Sequence, residues 1–508
     1  MNETQRGRGS NTPVVLAVGL SAALMTLDTT VVNVALPQIG AEFNAALSGL
    51  QWVVNGYTLA FAALLLSAGS LSDRLGRRGV FVTGMSVFTL ASLGCVLAPG
   101  EVFLIACRTL EGVGASLVMG TGLALIAGAF EGQDPGRRQG AFGMITAMGA
   151  AAAALGPLIG GGLIELAGWR SIFLINLPLG IAIIATMLIG VRPQPTIPGS
   201  RLDLAGAALA VGMLFALNYG LLAGASQTWR RGDVRCALLG VPVLLAGLLI
   251  LEHRRGPAAM LDLSLFRIPT FTGAVVLSFA ARVASFGLYP IVILWLTGLL
   301  NCTPIQIGLI LLILSAGMLL IAPFSGVLTR MVPVRVLTLT GMVLIGGGLI
   351  WSAVWIDVHS GWAAFLPAVI LMGLGSGIVT PHLMGLAVGV VPTDRAGMAS
   401  GASNAFFPLG TAVGVAVYGA VMSAVVAARI PDPEAARAVA AGRIRQLTAS
   451  GSLDEALARA AFTTGLVQVL FIAGTAAVLS GLASLLLVRA KDLPGRAAEP
   501  VAEAVNRP

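Results

Sequence analysis

The chain has 508 residues, of which 57% are hydrophobic and only 10% charged, with a formal net charge of +8. A soluble domain carries about 25% charged residues, so an ordinary soluble protein is excluded. The basic excess has no clustered patch, which excludes a nucleic-acid reading as well. The three histidines are scattered and the four cysteines lack metal-type spacing, so no enzyme site, zinc site or disulfide framework is indicated. No GxxxxGK[ST] phosphate loop occurs, which disfavours ATP-driven transport, and no sizeable soluble domain suits a receptor.

The apolar residues fall in runs of the roughly 20 residues that cross about 30 Å of hydrocarbon. Backbone amides in lipid must be satisfied within their own segment, so such runs become helices. In chain order the expected spans lie near 14–36, 50–71, 79–98, 102–130, 139–165, 171–191, 203–223 and 235–252. Six more follow near 269–296, 305–329, 335–356, 361–391, 397–428 and 462–488, giving fourteen. With the N-terminus inside, the inner segments hold Arg74, Arg77, Arg78, Arg137, Arg138, Arg335, Arg395 and Arg489 among others. The short outer loops hold only Arg170, Arg230, Arg231 and Arg235. This asymmetry places both termini in the cytoplasm. No small-residue cleavage site precedes the first span, so a removable signal peptide is not expected.

An internal repeat organises these spans. An offset of 261 carries Gly112, Gly114, Gly140 and Gly149 onto Gly373, Gly375, Gly401 and Gly410. The flanking loops match too, with Asp134 and Pro135 in one and Pro392 and Asp394 in the other. An offset of 257 aligns Gly69, Leu71, Ser72 and Arg78 with Gly326, Leu328, Thr329 and Arg335. Repeats of six spans mark transporters whose halves rock about a midplane site. The expected division is a six-helix bundle over 1–192, two additional helices over 193–260, a second bundle over 261–490 and a tail over 491–508. The outer loop from Arg429 to Arg459 spaces Val439, Ile444 and Leu447 among arginines. It reads equally as an amphipathic helix resting on the membrane surface or as a disordered loop.

Few ionisable residues fall inside spans, where a charge costs roughly 2.5–3.5 kcal/mol on insertion scales. Asp28 lies within Leu27-Asp28-Thr29-Thr30-Val31-Val32-Asn33. It is either a buried Asp fixed by its Thr and Asn neighbours or a proton-exchange site, and the second is preferred. Arg108 and Glu111 share a helical face. They form either a locked ion pair or a pair in which Glu111 titrates and frees the arginine. Arg282, without an evident local partner in sequence, either faces a cavity or snorkels. Between the second and third spans runs Gly69-Ser70-Leu71-Ser72-Asp73-Arg74-Leu75-Gly76-Arg77-Arg78, an ordered spacing beyond a simple charged anchor. In the fifth span, Gly149 to Gly162 reads GAAAAALGPLIGGG, small residues for close helix contact with a proline bend at Pro157.

At these residues the chain resembles the major facilitator superfamily, in its fourteen-span drug:proton antiporter branch. The loop 69–78 resembles the cytoplasmic signature, Arg108 to Ala115 that of the fourth span, and Gly156 to Gly161 the antiporter signature of the fifth. LDTTVVNVALP (27–37), Trp52 to Tyr57 and WRSIFLINLP (169–178) fit the same branch. The resemblance implies an all-α membrane fold of two six-helix bundles plus two extra helices. It also implies export of hydrophobic or cationic drugs or antibiotics, driven by inward proton flow through alternating access. A dedicated exporter of one natural product, metabolite or lipid-like compound is the alternative. The resemblance assigns proton coupling to Asp28 and Arg108, to which the reading of the buried pair adds Glu111, and gating to Gly69, Asp73, Arg74, Gly76, Arg77, Gly156, Pro157 and Gly160. Asn33, Trp52 and Tyr57 are expected to line the substrate cavity. The proton is the coupling ion, no cofactor is expected, and the chain is expected to act as a monomer in the cell membrane. Glu111 stands where the family usually has Gln, adding a protonatable site. In the second half Arg330 stands at the position of Asp73, and Val369 and Tyr418 stand opposite Arg108 and Pro157.

Overall fold

The computed structural model describes residues 11–130, 135–191, 204–226, 229–255, 263–321, 324, 328, 331–391, 396–449 and 453–489. The 491–508 tail, Arg330 and the loop residues Asp134, Pro392 and Asp394 lie outside these. So do the side chains of Gly69, Asp73, Gly140 and Gly401, although all four sit on or beside helices.

The expected spans fall on helices where their residues are described. The first half comprises α1 (Thr12–Phe43), α2 (Leu47–Leu75), α3 (Arg77–Val96), α4 (Glu101–Ala129), α5 (Pro135–Ala167) and α6 (Asn176–Gly190), the last preceded by a single turn at Ser171–Leu174. The additional pair is α7 (Leu204–Ser226) and α8 (Gly232–Arg255). The second half comprises α9 (Pro269–Phe286) running into α10 (Tyr289–Gly298), then α11 (Pro304–Ile321), α12 (Val334–Trp355), α13 (Leu366–Gly389), α14 (Ala396–Ala427) and α17 (Glu455–Leu487). Twelve of these stretches are long and apolar enough to cross a membrane. Of the other two, α2 has 29 residues, and α7 has a shorter apolar core at Ala208–Leu221.

Packing repeats between the halves. α4 lies between α2 and α3, as α13 lies between α11 and α12. α1 packs on α5 as α9 packs on α14. The glycine correspondence is a packing correspondence. A Cβ on Gly112 would strike the Tyr57 carbonyl of α2, and one on Gly373 would strike the Leu314 carbonyl of α11. Gly114 meets the backbone of Gly84 on α3, and Gly375 that of Gly341 on α12. Only a hydrogen side chain lets these backbones approach so closely, and close approach is what drives helix association in lipid.

The halves meet along two seams, α5 against α11 and α2 against α14, with α1 also touching α10. Gly161 faces the Pro304 carbonyl, and Gly308 faces that of Pro157. Gln51 on α2 donates to the Val415 carbonyl of α14 at 2.6 Å, in space that a side chain on Gly419 would fill. The additional helix α7 lies against both α2 and α14, and α8 packs behind it. Asn55 bonds Asn218 of α7 at 2.6 Å, and Trp52 stacks on Phe215.

The loop from Arg429 to Arg459 is helical with one apolar face, as the first sequence reading had it, but that face rests on protein. It folds into α15 (Pro433–Ala440) and α16 (Ile444–Ala449), with Asp432 capping the first by accepting from Glu434 N and Ala435 N. Ala435, Ala436, Val439, Ala440 and Ile444 are buried in protein, so its apolar face meets α14 and its neighbours and not lipid. Between the start of α2, the end of α14 and α15 lies a cavity of about 200 Å3 lined by Ser48, Ser423 and Arg437.

Candidate functional site

The residues expected to carry chemistry converge within the first half. Asp28 on α1 and Arg108 and Glu111 on α4 are 1%, 1% and 0% exposed. Arg108 Nη1 lies 2.6 Å from Asp28 Oδ2 and 2.6 Å from Glu111 Oε2. Arg108 Nε also donates to the Val53 carbonyl of α2 at 3.3 Å, and its guanidinium sits 4.6 Å from the Tyr57 ring centre and 5.7 Å from that of Phe173. A delocalised cation between aromatic faces gains electrostatic attraction without water.

Two further residues close this cluster into a ring. Ser92 Oγ on α3 donates to Glu111 Oε1 at 2.5 Å. Asn176 Nδ2, at the start of α6, donates to Asp28 Oδ1 at 3.0 Å and to Ser92 Oγ at 3.2 Å. The circuit Asp28–Arg108–Glu111–Ser92–Asn176 therefore draws on four helices. The neighbours of Asp28 play no part in it: Thr29 and Thr30 bond carbonyls one turn back, and Asn33 Nδ2 bonds the Thr29 carbonyl. The reading of Asp28 as held by its own Thr and Asn neighbours is thus replaced by an interhelical one.

The WRSIFLINLP segment clamps the same elements from one end. Trp169 and Arg170 both donate to Glu42 at the end of α1, and Arg170 also donates to the Val96 and Ala98 carbonyls after α3. Phe173 and Asn176 then reach the ring.

The gating candidates lie apart from it. Gly76 ends α2 with φ +95 and bonds its N–H to the Ser72 carbonyl, a turn that glycine adopts without strain. Beyond it Arg77 donates to the Ala124 carbonyl near the end of α4, and Arg78 to Leu188 near the end of α6. Cations here meet the negative ends of both helices. Arg74 is exposed. In α5, Gly156 and Gly160 face Thr30 and Val31 of α1, inside the first half, whereas Pro157 and Gly161 face α11 of the second. One motif thus serves two different contacts.

The expected cavity residues have three different settings. Tyr57 lies beneath Arg108, Trp52 stacks against the additional helix, and Asn33 is buried with Oδ1 unpartnered. Arg282 stacks on Phe286 at 4.1 Å. Sequence reasoning passed over Ser92, Asn176 and Gln51. The signal available for Asn176 was one amide in an otherwise apolar run; Ser92 and Gln51 carry none.

Comparison with known proteins agrees with this architecture. The Major Facilitator Superfamily profile matches residues 18–415 and 271–500. The chain is 33% identical over 447 residues to the multidrug resistance protein Stp of Mycobacterium tuberculosis, covering 88% of this chain and 82% of that one. It is 34% identical over 411 residues to the methylenomycin A resistance protein of Streptomyces coelicolor, covering 80% and 85%. With the tetracenomycin C resistance and export protein of Streptomyces glaucescens it shares 31% over 429 residues, covering 84% and 78%. In fold it resembles a bacterial homologue of the human lysosomal transporter Spinster, in an inward-facing, unoccupied conformation, with TM-score 0.69 and 18% identity over 96% of this chain and 99% of that one. The chain is a multi-pass membrane transporter of the Major Facilitator Superfamily, among its drug-efflux members.

Proposed function

We propose that this chain exports small hydrophobic or cationic molecules, drugs or antibiotics, from the cytoplasm in exchange for protons by alternating access. The observation that carries this reading is the fully buried ring in which two carboxylates share one guanidinium. Three ionised groups at 0–1% exposure are costly unless they pair. A pair would suffice for insertion, so the second carboxylate is the surplus that a proton can neutralise. The sequence relatives named for multidrug resistance and for tetracenomycin C export support the cargo.

In this reading the bundles 1–192 and 261–490 rock along the α2–α14 and α5–α11 seams, and the pair within 193–260 rides on the first of these. The arginine-rich ends face the cytoplasm, with both termini on the cytoplasmic side of the cell membrane, and one chain suffices. The test uses purified protein in liposomes with an imposed pH gradient and a fluorescent hydrophobic cation as cargo. Transport that follows the gradient and collapses with a protonophore is expected. Transport indifferent to both would overturn proton coupling.

A second reading is a dedicated exporter of one natural product, favoured by relatives each named for a single antibiotic. A resistance profile of cells with and without the protein separates the two: a single protected compound supports the dedicated exporter.

A further inference from the structure

The two carboxylates of the ring are not chemically equivalent. Asn176 is fully buried, with Nδ2 directed at Asp28 Oδ1 and Ser92 Oγ and its own Oδ1 unpartnered. An amide nitrogen donates two protons and accepts none. Asp28 therefore accepts at both oxygens, from Asn176 at Oδ1 and from Arg108 Nη1 at Oδ2. Protonated, it would set a hydrogen against a donor on either side. Glu111 differs at one atom. Its Oε2 accepts from Arg108, but its Oε1 faces the Ser92 hydroxyl, which can donate or accept.

We propose that Glu111 is the carboxyl that takes up and releases the coupling proton, at Oε1, and that Asn176 and Ser92 are positioning residues that enforce this choice. The inference rests on the proton-coupled reading above. In the discharged state Ser92 O–H donates to Glu111 Oε1. A proton arriving from water forms the Glu111 O–H bond, which then donates to Ser92 Oγ. The serine proton turns to a carbonyl one turn back on α3, the usual alternative for a helical serine. Release reverses each step, and no other bond is made or broken. The ring passes between one net negative charge and neutrality, while Asp28 stays ionised as the standing counter-ion of Arg108.

The other titratable or charged groups facing Glu111 are Asp28 from α1, Tyr57 from α2, Cys95 from α3 and Arg108 from its own helix. From α6 the ring receives the neutral amide of Asn176. Among the described residues the hydroxyl bonded to Glu111 Oε1 is that of Ser92. The opposite amide orientation would aim the Asn176 carbonyl at Asp28 and require the proton there, so the two assignments are distinguishable.

Infrared difference spectra of the full-length purified protein, taken between two pH values that both lie above the ordinary carboxylate range, report the C=O band of a buried protonated carboxyl. The band is expected in the wild type and in Asp28→Asn and is expected to vanish in Glu111→Gln. A band lost in Asp28→Asn and kept in Glu111→Gln, or absent from the wild type, would overturn the assignment. Two variants that keep every charge guard against misfolding. Ser92→Ala is expected to keep the band but move it to higher frequency, since the carboxyl loses its hydrogen-bond partner. Asn176→Leu is expected to add a second band, because Asp28 is released to protonate. Wild-type spectra in both would remove the positioning roles. None of these readouts requires transport. An exporter indifferent to protons would fail the liposome assay and leave the band assignment standing.

Discussion

The two halves share a packing frame but fill it differently at one level. An offset of 261 carries Arg108 and Glu111 of α4 to Val369 and Met372 of α13. The offset of 257 that pairs Gly84 with Gly341 carries Asp28 and Ser92 to Ser285 and Leu349. All four second-half residues are buried, and among the described residues Ser285 Oγ pairs with Ser376 Oγ at 3.4 Å. The same helix crossings, held by the same glycine contacts, therefore stand with or without a charged ring. The ring is not needed to build a bundle of this kind, so its desolvation cost is retained for something other than the fold.

The sharpest way to break that comparison is to graft one half onto the other. Arg108→Leu alone leaves two carboxylates buried without a cation, and breaking a buried pair costs about 3–5 kcal/mol. Export and yield of folded protein are both expected to collapse, read by size-exclusion profile and the liposome assay. The triple variant Asp28→Ser, Arg108→Val, Glu111→Met carries the second-half residues. It is expected to recover the folded yield while export stays absent. A triple variant as poorly folded as Arg108→Leu would show that the first half needs its charges to pack.

How far this arrangement can be read from sequence depends on the kind of contact. The glycine repeat was legible because close backbone approach leaves a residue type at fixed offsets, and Gly112 and Gly373 indeed meet equivalent carbonyls. Asp28, Arg108 and Glu111 were legible because a charge in an apolar run is rare. Ser92 and Asn176 were not. Their partners come from α1 and α4, and a serine or amide in a span looks the same whether it serves its own helix or a ring. The pattern at Val439 and Ile444 showed an apolar face but could not say whether lipid or protein covers it; the structure supplies α14. Likewise the fifth-span motif told of close packing without telling that Gly156 faces α1 and Gly161 faces α11.

That division within one motif yields a second test, of intermediate size. Gly156→Leu drives a side chain into Thr30 within the first half, while Gly161→Leu drives one into the Pro304 backbone across the seam. Overpacking of this sort costs about 1–3 kcal/mol. In Gly156→Leu the cost is expected to appear as a lower melting temperature, since both contacting helices belong to one bundle. In Gly161→Leu the halves can separate to relieve it, so melting is expected to hold while export falls. Equal loss of melting temperature in both would mean that the seam is as rigid as the bundle.

The smallest expected effect lies at the other seam. Gln51 crosses from α2 to the Val415 carbonyl of α14 and is 2% exposed, in a niche kept open by Gly419. Trp52 and Asn55, on the same stretch of α2, hold the additional helix instead. α2 is thus tied to α7 by stacking and the Asn55–Asn218 hydrogen bond, and to α14 by the Gln51 hydrogen bond. When the halves part at this end, the Gln51 bond has to break. A net hydrogen bond contributes about 0.5–1.5 kcal/mol. Gln51→Leu is therefore expected to shift the balance toward the state open at this end by roughly two- to thirteenfold. The reporter is a cysteine at Ser423, which lines the cavity roofed by α15, in a background where the exposed Cys236 is replaced by Ser. Its reaction with a membrane-impermeant maleimide should quicken in Gln51→Leu and stay at the parental rate in Asn55→Leu, which loosens the additional helix and leaves the seam bonded. Equal acceleration in both would show that α7, which lies against both α2 and α14, helps to hold the seam closed and braces the two halves together.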